Sequence, residues 1–168
     1  MATSISRVLI LGHSFIRRLR EFISSHSNDF IVNFRFAESV VTRWHSVGGR
    51  TVAKTLQFDL LIVSSFGPDI VILQLGSNDL VTFSSLHVGS IIEDFVSLLH
   101  TSCGVKLVSV CQTLRRDNAP VFNSKVGLLT RYLRVVLELL PYSIFWHGVI
   151  GVFGRNGLGV TKTKTSEN

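Results

Sequence analysis

The sequence predicts a three-layer α/β/α fold, doubly wound around a five-stranded parallel sheet. Short unbroken apolar runs, such as residues 8–11 and 70–73, suit strands buried on both faces. Between such runs lie longer segments whose apolar residues recur at three and four positions, the period of a helix. Strands alternating with helices require crossovers, and right-handed crossovers place helices on both faces of the sheet. The length, 168 residues, is that of one domain with a full core, and 46% hydrophobic against 17% charged residues excludes a disordered chain.

The elements follow in order. "RVLIL", residues 7–11, is a β-branched and leucine run ended by Gly12, a first strand. Phe15, Leu19, Phe22 and Ile23 then form an apolar stripe on a helix over residues 15–25. "DFIVNFRFA", residues 29–37, alternates Phe30, Val32, Phe34 and Phe36 and predicts a second strand near a sheet edge. "RWHSVGGRTV", residues 43–52, breaks all periodicity at Gly48 and Gly49 and reads as a loop. Residues 52–66, "VAKTLQFDLLIVSSF", read as one helix stopped by Gly67-Pro68. "DIVILQL", residues 69–75, is a third and central strand closed by Gly76. Residues 84–100 give a helix, 105–111 a fourth strand, 123–140 a long amphipathic helix ended by Pro141, and 142–147 a fifth strand. From Gly148 the text turns Gly-rich and then Lys/Thr-rich, so the domain is expected over residues 1–147 with a loose tail over 148–168.

Composition narrows the partners. The net charge is +6, but Arg17, Arg18 and Arg20, Arg115 and Arg116, and Lys162 and Lys164 are spread along the chain, as on solvated faces. No apolar run approaches the roughly 18 residues that a membrane span needs, and no cleavage-like site follows the amino-terminal segment. Cys103 and Cys111 sit at opposite ends of one short segment and read as buried thiols. With no glycosylation acceptor and no metal-ligand spacing of Cys and His, the expectation is an intracellular, cytoplasmic protein that needs no cofactor or metal.

In a doubly wound sheet the ligand crevice lies at the carboxyl ends of the strands. Three suggestive segments fall there: "GHS" after the first strand, "VGGRT" in the loop before the 52–66 helix, and "GSND", residues 76–79, after the third strand. Acyl transfer needs a nucleophile and donors for a tetrahedral oxyanion. The hydroxyl and amide of Ser14, an amide of Gly48 or Gly49 and the side chain of Asn78 are of the right kinds.

In this order, the segments resemble three sequence blocks of the SGNH hydrolases, the GDSL-like esterases and lipases. "ILGHSF" resembles the first, which places Ser14 as nucleophile and first oxyanion amide; by position the same serine is also expected to cap the helix that follows. "VGGRTV" is similar to the second, with Gly49 or Gly48 as the next donor, and "PDIVILQLGSND" to the third, with Asn78 as the last. Asp79 would then have a structural, hydrogen-bonding role. The resemblance spans residues 7–147 and implies a flavodoxin-like sheet and hydrolysis of a small ester or acetyl ester through an acyl-serine.

The chain departs from that pattern twice. His13 replaces the usual Asp before the serine. The family's final Asp-x-x-His, whose His is the general base, is absent: no Asp or Glu here has a His three residues later. Residue 148 onward reads as though the chain were truncated or shifted in frame, and His147, at the end of the fifth strand, reads as a structural histidine or, in the alternative, as a substitute base. His45, in the glycine loop, is a further histidine that could face the crevice, while Trp44 and Trp146 read as core or pocket residues. An impaired esterase is therefore expected. The alternative is a noncatalytic binding or accessory module, because domains similar to this family occur beside retroelement reading frames, where a basic protein would bind nucleic acid.

Overall fold

In the computed structural model, which describes residues 5–25 and 40–146, the first strand, β1, spans Ser6–Gly12. Leu9 and Leu11 point to one face and Val8 and Ile10 to the other, and all four are buried, as the unbroken apolar run requires. Helix α1, Ser14–Ser25, buries Ile16 against Val8 and Ile10. Ile16 lies outside the expected 15/19/22/23 stripe, of which Phe22 is exposed.

Strand β2 is Val40–Ser46, paired in parallel with the whole of β1 from Ser6↔Val40 to Gly12↔Ser46. Residues 43–46, expected in a loop, are thus strand, and the alternation at 29–37 lies outside the described residues. Polar residues hid β2 because it is an edge strand with mixed surroundings. Val40 and Trp44 pack on the Val8, Ile10 and Ile16 cluster, whereas Arg43 lies 5.7 Å from the centre of the Phe66 ring.

The single helix expected over 52–66 is two: α2, Val52–Phe58, and α3, Leu60–Phe66. They part at Asp59, whose carboxylate is drawn inward by His45 and Arg50, as described below. Gly67, at φ 59°, ends α3 in the left-handed conformation. Strand β3, Ile70–Gln74, pairs with β1, and after it comes a short helix that periodicity did not foresee, α4, Asp79–Thr82. Helix α5, Ser85–Cys103, is capped by the Ser84 hydroxyl, which accepts from the His87 amide at 3.3 Å. Strand β4, Leu107–Cys111, helix α6, Pro120–Glu138, and strand β5, Ser143–Trp146, complete the described order, with Pro120 in the first turn of α6.

The strand order is β2-β1-β3-β4-β5, all parallel, which is the flavodoxin-like doubly wound sheet. Its larger core lies on one face, where Leu11, Leu73 and Val110 meet Phe95, Leu99 and Leu133 from the helices. Each such side chain contributes roughly 1.5–3 kcal/mol by leaving water. On the other face, α1 forms a smaller core with Val8, Ile10 and Ile16. The chain leaves β1 toward β2 and leaves β3 toward β4, so the winding reverses between β1 and β3 and opens a crevice at their carboxyl ends. No described helix is long and apolar enough to cross a membrane. Cys103 and Cys111 are free thiols, half-buried rather than buried. Trp44 is half-buried, while Trp146, expected in the core or a pocket, is 50% exposed because it stands on an edge strand. His147 and the expected tail, 148–168, lie outside the described residues.

Candidate active site

Ser14 follows the end of β1 and is the first residue of α1 rather than its cap. The capping interaction belongs to His13, whose Nδ1 accepts from the Phe15 amide at 3.3 Å while its carbonyl accepts from Ile16 at 3.0 Å. Ser14 is half-buried, and no described residue hydrogen-bonds its hydroxyl. The turn is tight because Gly12 presses on its neighbours: a Cβ there would lie 2.6 Å from Ile16 Cγ1 and 2.7 Å from the Gln74 carbonyl oxygen. Only glycine lets β3 and α1 come this close.

His13 is buried, which lowers its pKa from the ordinary 6.5 because the charged imidazolium loses water; the nearby Arg116 and Arg18 guanidiniums push the same way. The neutral ring uses its Nδ1 lone pair on the Phe15 amide, so its proton sits on Nε2. A histidine in that tautomer has no free lone pair for the Ser14 proton.

Gly48 and Gly49 form an exposed turn after β2, closed by the Arg50 amide on the Val47 carbonyl at 3.4 Å. Gly49 has φ 71°, the left-handed conformation that the third residue of a type II turn requires. The turn is held at both ends. The Val47 amide donates to the Gly12 carbonyl at 3.2 Å, just before the serine. On the other side, the Asn78 side-chain amide donates to the Arg50 carbonyl at 2.8 Å, and both carboxylate oxygens of Asp79 accept from the Val52 amide at 3.1 and 3.3 Å. The structural part expected of Asp79 is therefore seen directly. Burial raises the Asp79 pKa above its usual 3.8, with the Val52 and Asp79 backbone hydrogen bonds opposing.

Two features escaped the sequence reading. Asp59, 2% exposed, accepts on Oδ1 from Arg50 Nη2 at 2.9 Å and lies 3.1 Å from His45 Nε2. His45 therefore turns to Asp59, where it helps to anchor the strand that leads into the glycine turn. An acid between Phe58 and Leu60 in an otherwise apolar segment was the available signal. The second feature is Arg116, in the connection after β4, which donates to Ser77, the residue before Asn78. Nothing in its local sequence marks it.

In sheet order, β1 lies between β2 and β3, so Ser14 stands between the glycine turn and the Asn78 loop. A parallel doubly wound sheet thus carries a serine, a left-handed glycine and an asparagine near three adjacent strand ends, which defines the fold as a flavodoxin-like α/β domain. At the level of sequence, no family model and no curated protein matches the chain. Solved structures do resemble it. A GDSL-like lipase from Bacteroides thetaiotaomicron superposes with a TM-score of 0.66 at 15% identity, covering 94% of this chain and 78% of that one. An acylhydrolase described as putative, from Bacteroides fragilis, gives 0.65 at 18%, covering 95% and 76%. A catalytic mutant of an acetylxylan esterase from Geobacillus stearothermophilus gives 0.63 at 14%, covering 84% and 75%. At these identities the likeness is one of fold.

Proposed function

We propose that the chain is a serine ester hydrolase-like domain acting on a small ester or acetyl ester. Ser14 Oγ would attack the carbonyl carbon, the ester alkoxide would leave, and water would later release the acid from the acyl-serine. The amides of Ser14 and Gly49 and the Asn78 side chain would hold the oxyanion. The observation that carries this reading is the tie between Asn78 and the Arg50 carbonyl at 2.8 Å, which binds two of the three oxyanion loops to each other.

The base is the weak part of the machinery. His13 has its lone pair committed, and we assign the base role to His147, at the end of the fifth strand, with no acid at the family spacing to orient it. Without a working base, an oxyanion hole alone leaves roughly 10³–10⁴-fold catalysis over water. Slow, impaired turnover is therefore part of the proposal.

An alkyl fluorophosphonate tests it, because Ser14 Oγ forms the new bond to phosphorus and fluoride leaves. Labelling of the native chain, lost in Ser14→Ala and slowed in His147→Gln, supports the reading. No labelling, together with salt-sensitive RNA binding, would transfer the case to a noncatalytic module.

A further inference from the structure

We propose that Arg116 is an anion-recognition residue at the mouth of the crevice, and that the ester taken there carries a carboxylate or phosphate group beside an apolar chain. The word ester rests on the hydrolase reading above; the anion site does not.

Arg116 lies between β4 and α6, at the carboxyl end of the strand next to β3, and hence at the same end of the sheet as Ser14 and Asn78. Its backbone is bracketed by one side chain: its amide donates to Asn123 Oδ1 at 2.8 Å, and Asn123 Nδ2 donates back to its carbonyl at 2.8 Å. Its guanidinium is fixed too. Nη2 donates to the Ser77 carbonyl at 3.3 Å and lies 3.2 Å from Ser77 Oγ, and the group stacks 4.0 Å from the centre of the Phe122 ring.

All of these partners are neutral. Among the described residues, carboxylates engage Arg17, Arg50, Lys106, Arg134 and His45, and none pairs with Arg116. Arg116 is exposed, yet one guanidinium nitrogen is hydrogen-bonded and the group lies over Phe122, so part of the ordering cost of binding an anion is already met. Its Nε and Nη1 donors make no hydrogen bond to described residues. Its field reaches the residue beside the nucleophile, since it helps to keep His13 neutral.

The second half of the ligand follows from what flanks the guanidinium. A hollow of about 440 Å³ is walled by Leu80, Val81, Val121 and Phe122, with Arg116 and Lys125 on its rim. Lys125 donates to the carbonyls of Leu80 at 2.9 Å and Phe83 at 3.1 Å, which leaves it one N–H. Arg116, with Nε and Nη1 both unused, offers the planar, multidentate donor set that a carboxylate or phosphate fits. An apolar chain in the hollow and an oxyanion on Arg116 satisfy both walls.

Equilibrium binding to the native chain tests the anion site without catalysis. Monoethyl succinate and neutral diethyl succinate are titrated at low salt while amide and arginine Nε–H resonances are followed, with butyl phosphate against butyrate to tell phosphate from carboxylate. The monoester should bind about tenfold tighter than the diester, the order expected of a charge-assisted hydrogen bond. That preference should vanish in Arg116→Gln, be partly restored in Arg116→Lys, and persist in Arg115→Gln. A preference unchanged in Arg116→Gln, anion-induced shifts confined to Arg17, Arg18 and Arg20, or no binding of any anion overturns the proposal. Failure of the fluorophosphonate to label Ser14 removes the hydrolase reading alone, since the titration still decides the anion site.

Discussion

The side-chain amide of Asn78 donates to the main-chain carbonyl of Arg50 at 2.8 Å, across two connections that are 28 residues apart in sequence. The same side chain that would face an oxyanion therefore also fixes the neighbouring glycine turn. Asn78→Ala should cut the rate of fluorophosphonate labelling at Ser14 by about 10²–10³, the usual cost of losing an oxyanion donor. Far-ultraviolet circular dichroism should stay native, and a labelling rate equal to wild type would remove Asn78 from the site.

Asp79 makes a prediction about stability. Asp79→Ala leaves the amide of Val52, a residue with no exposure, without its acceptor, at a cost of about 1–3 kcal/mol. Asp79→Asn keeps one acceptor oxygen and removes a buried charge, so it should cost less. Urea midpoints of the two variants check the order, and an Asn variant as weak as the Ala variant contradicts it.

His13 sets a pH dependence whose sign is fixed by its lowered pKa. The unfolded chain takes up a proton near 6.5 while the folded chain resists it, so the contribution is full above pH 6.5 and is lost as the pH falls below it toward the folded value. The raised pKa of Asp79 acts in the opposite sense, with folding favoured as that carboxylate gains its proton. Wild type should lose more stability than His13→Asn between pH 7.5 and 5.5, as read from denaturant midpoints. Parallel curves would show that His13 is not the group responsible.

At Gly12, an added methyl clashes with both Ile16 and the β3 backbone at Gln74. Gly12→Ala should destabilise by roughly 1–3 kcal/mol, the range for overpacking. Because Ile16 is two residues beyond Ser14, it should also slow labelling of the serine, and a variant with native midpoint and native labelling would contradict the close approach.

Burial pushes the Cys111 thiol up to about 11 and raises Cys103 as well. Both should react with iodoacetamide at pH 8 well below the rate of a free thiol, Cys111 the more slowly, and full denaturation should restore rapid alkylation.

Legibility in the sequence followed burial. Strands β1 and β3, covered on both sides, appear as unbroken apolar runs, and α5 and α6 as clear stripes. Strand β2 does not, because an edge strand flanked by one neighbour carries Arg43 and His45 as readily as Val40. The break at Asp59 was hidden for a related reason: periodicity sees an apolar face, not the ionic partners that a residue finds across 9 and 14 positions of chain. The strand-end positions of Ser14 and Asn78 were legible because β1 and β3 are, whereas Gly49 stood out only as a break in periodicity. Arg116 was not, since its placement depends on Asn123, Phe122 and Ser77 together.

The two unequal cores have a dynamic meaning. Ser14 rides on a helix whose buried anchor is Ile16 in the small cluster, whereas Asp79 and the α2 residue it grips belong to the elements packed on the large one. Among the described residues, opening of α1 uncovers the smaller of the two buried clusters, which places it toward the low end of the local unfolding scale. The amides of α1 should therefore exchange with solvent deuterium well before those of β3 and α5. Each such excursion would take the serine away from its partners and return it, while the asparagine and glycine loops stayed assembled.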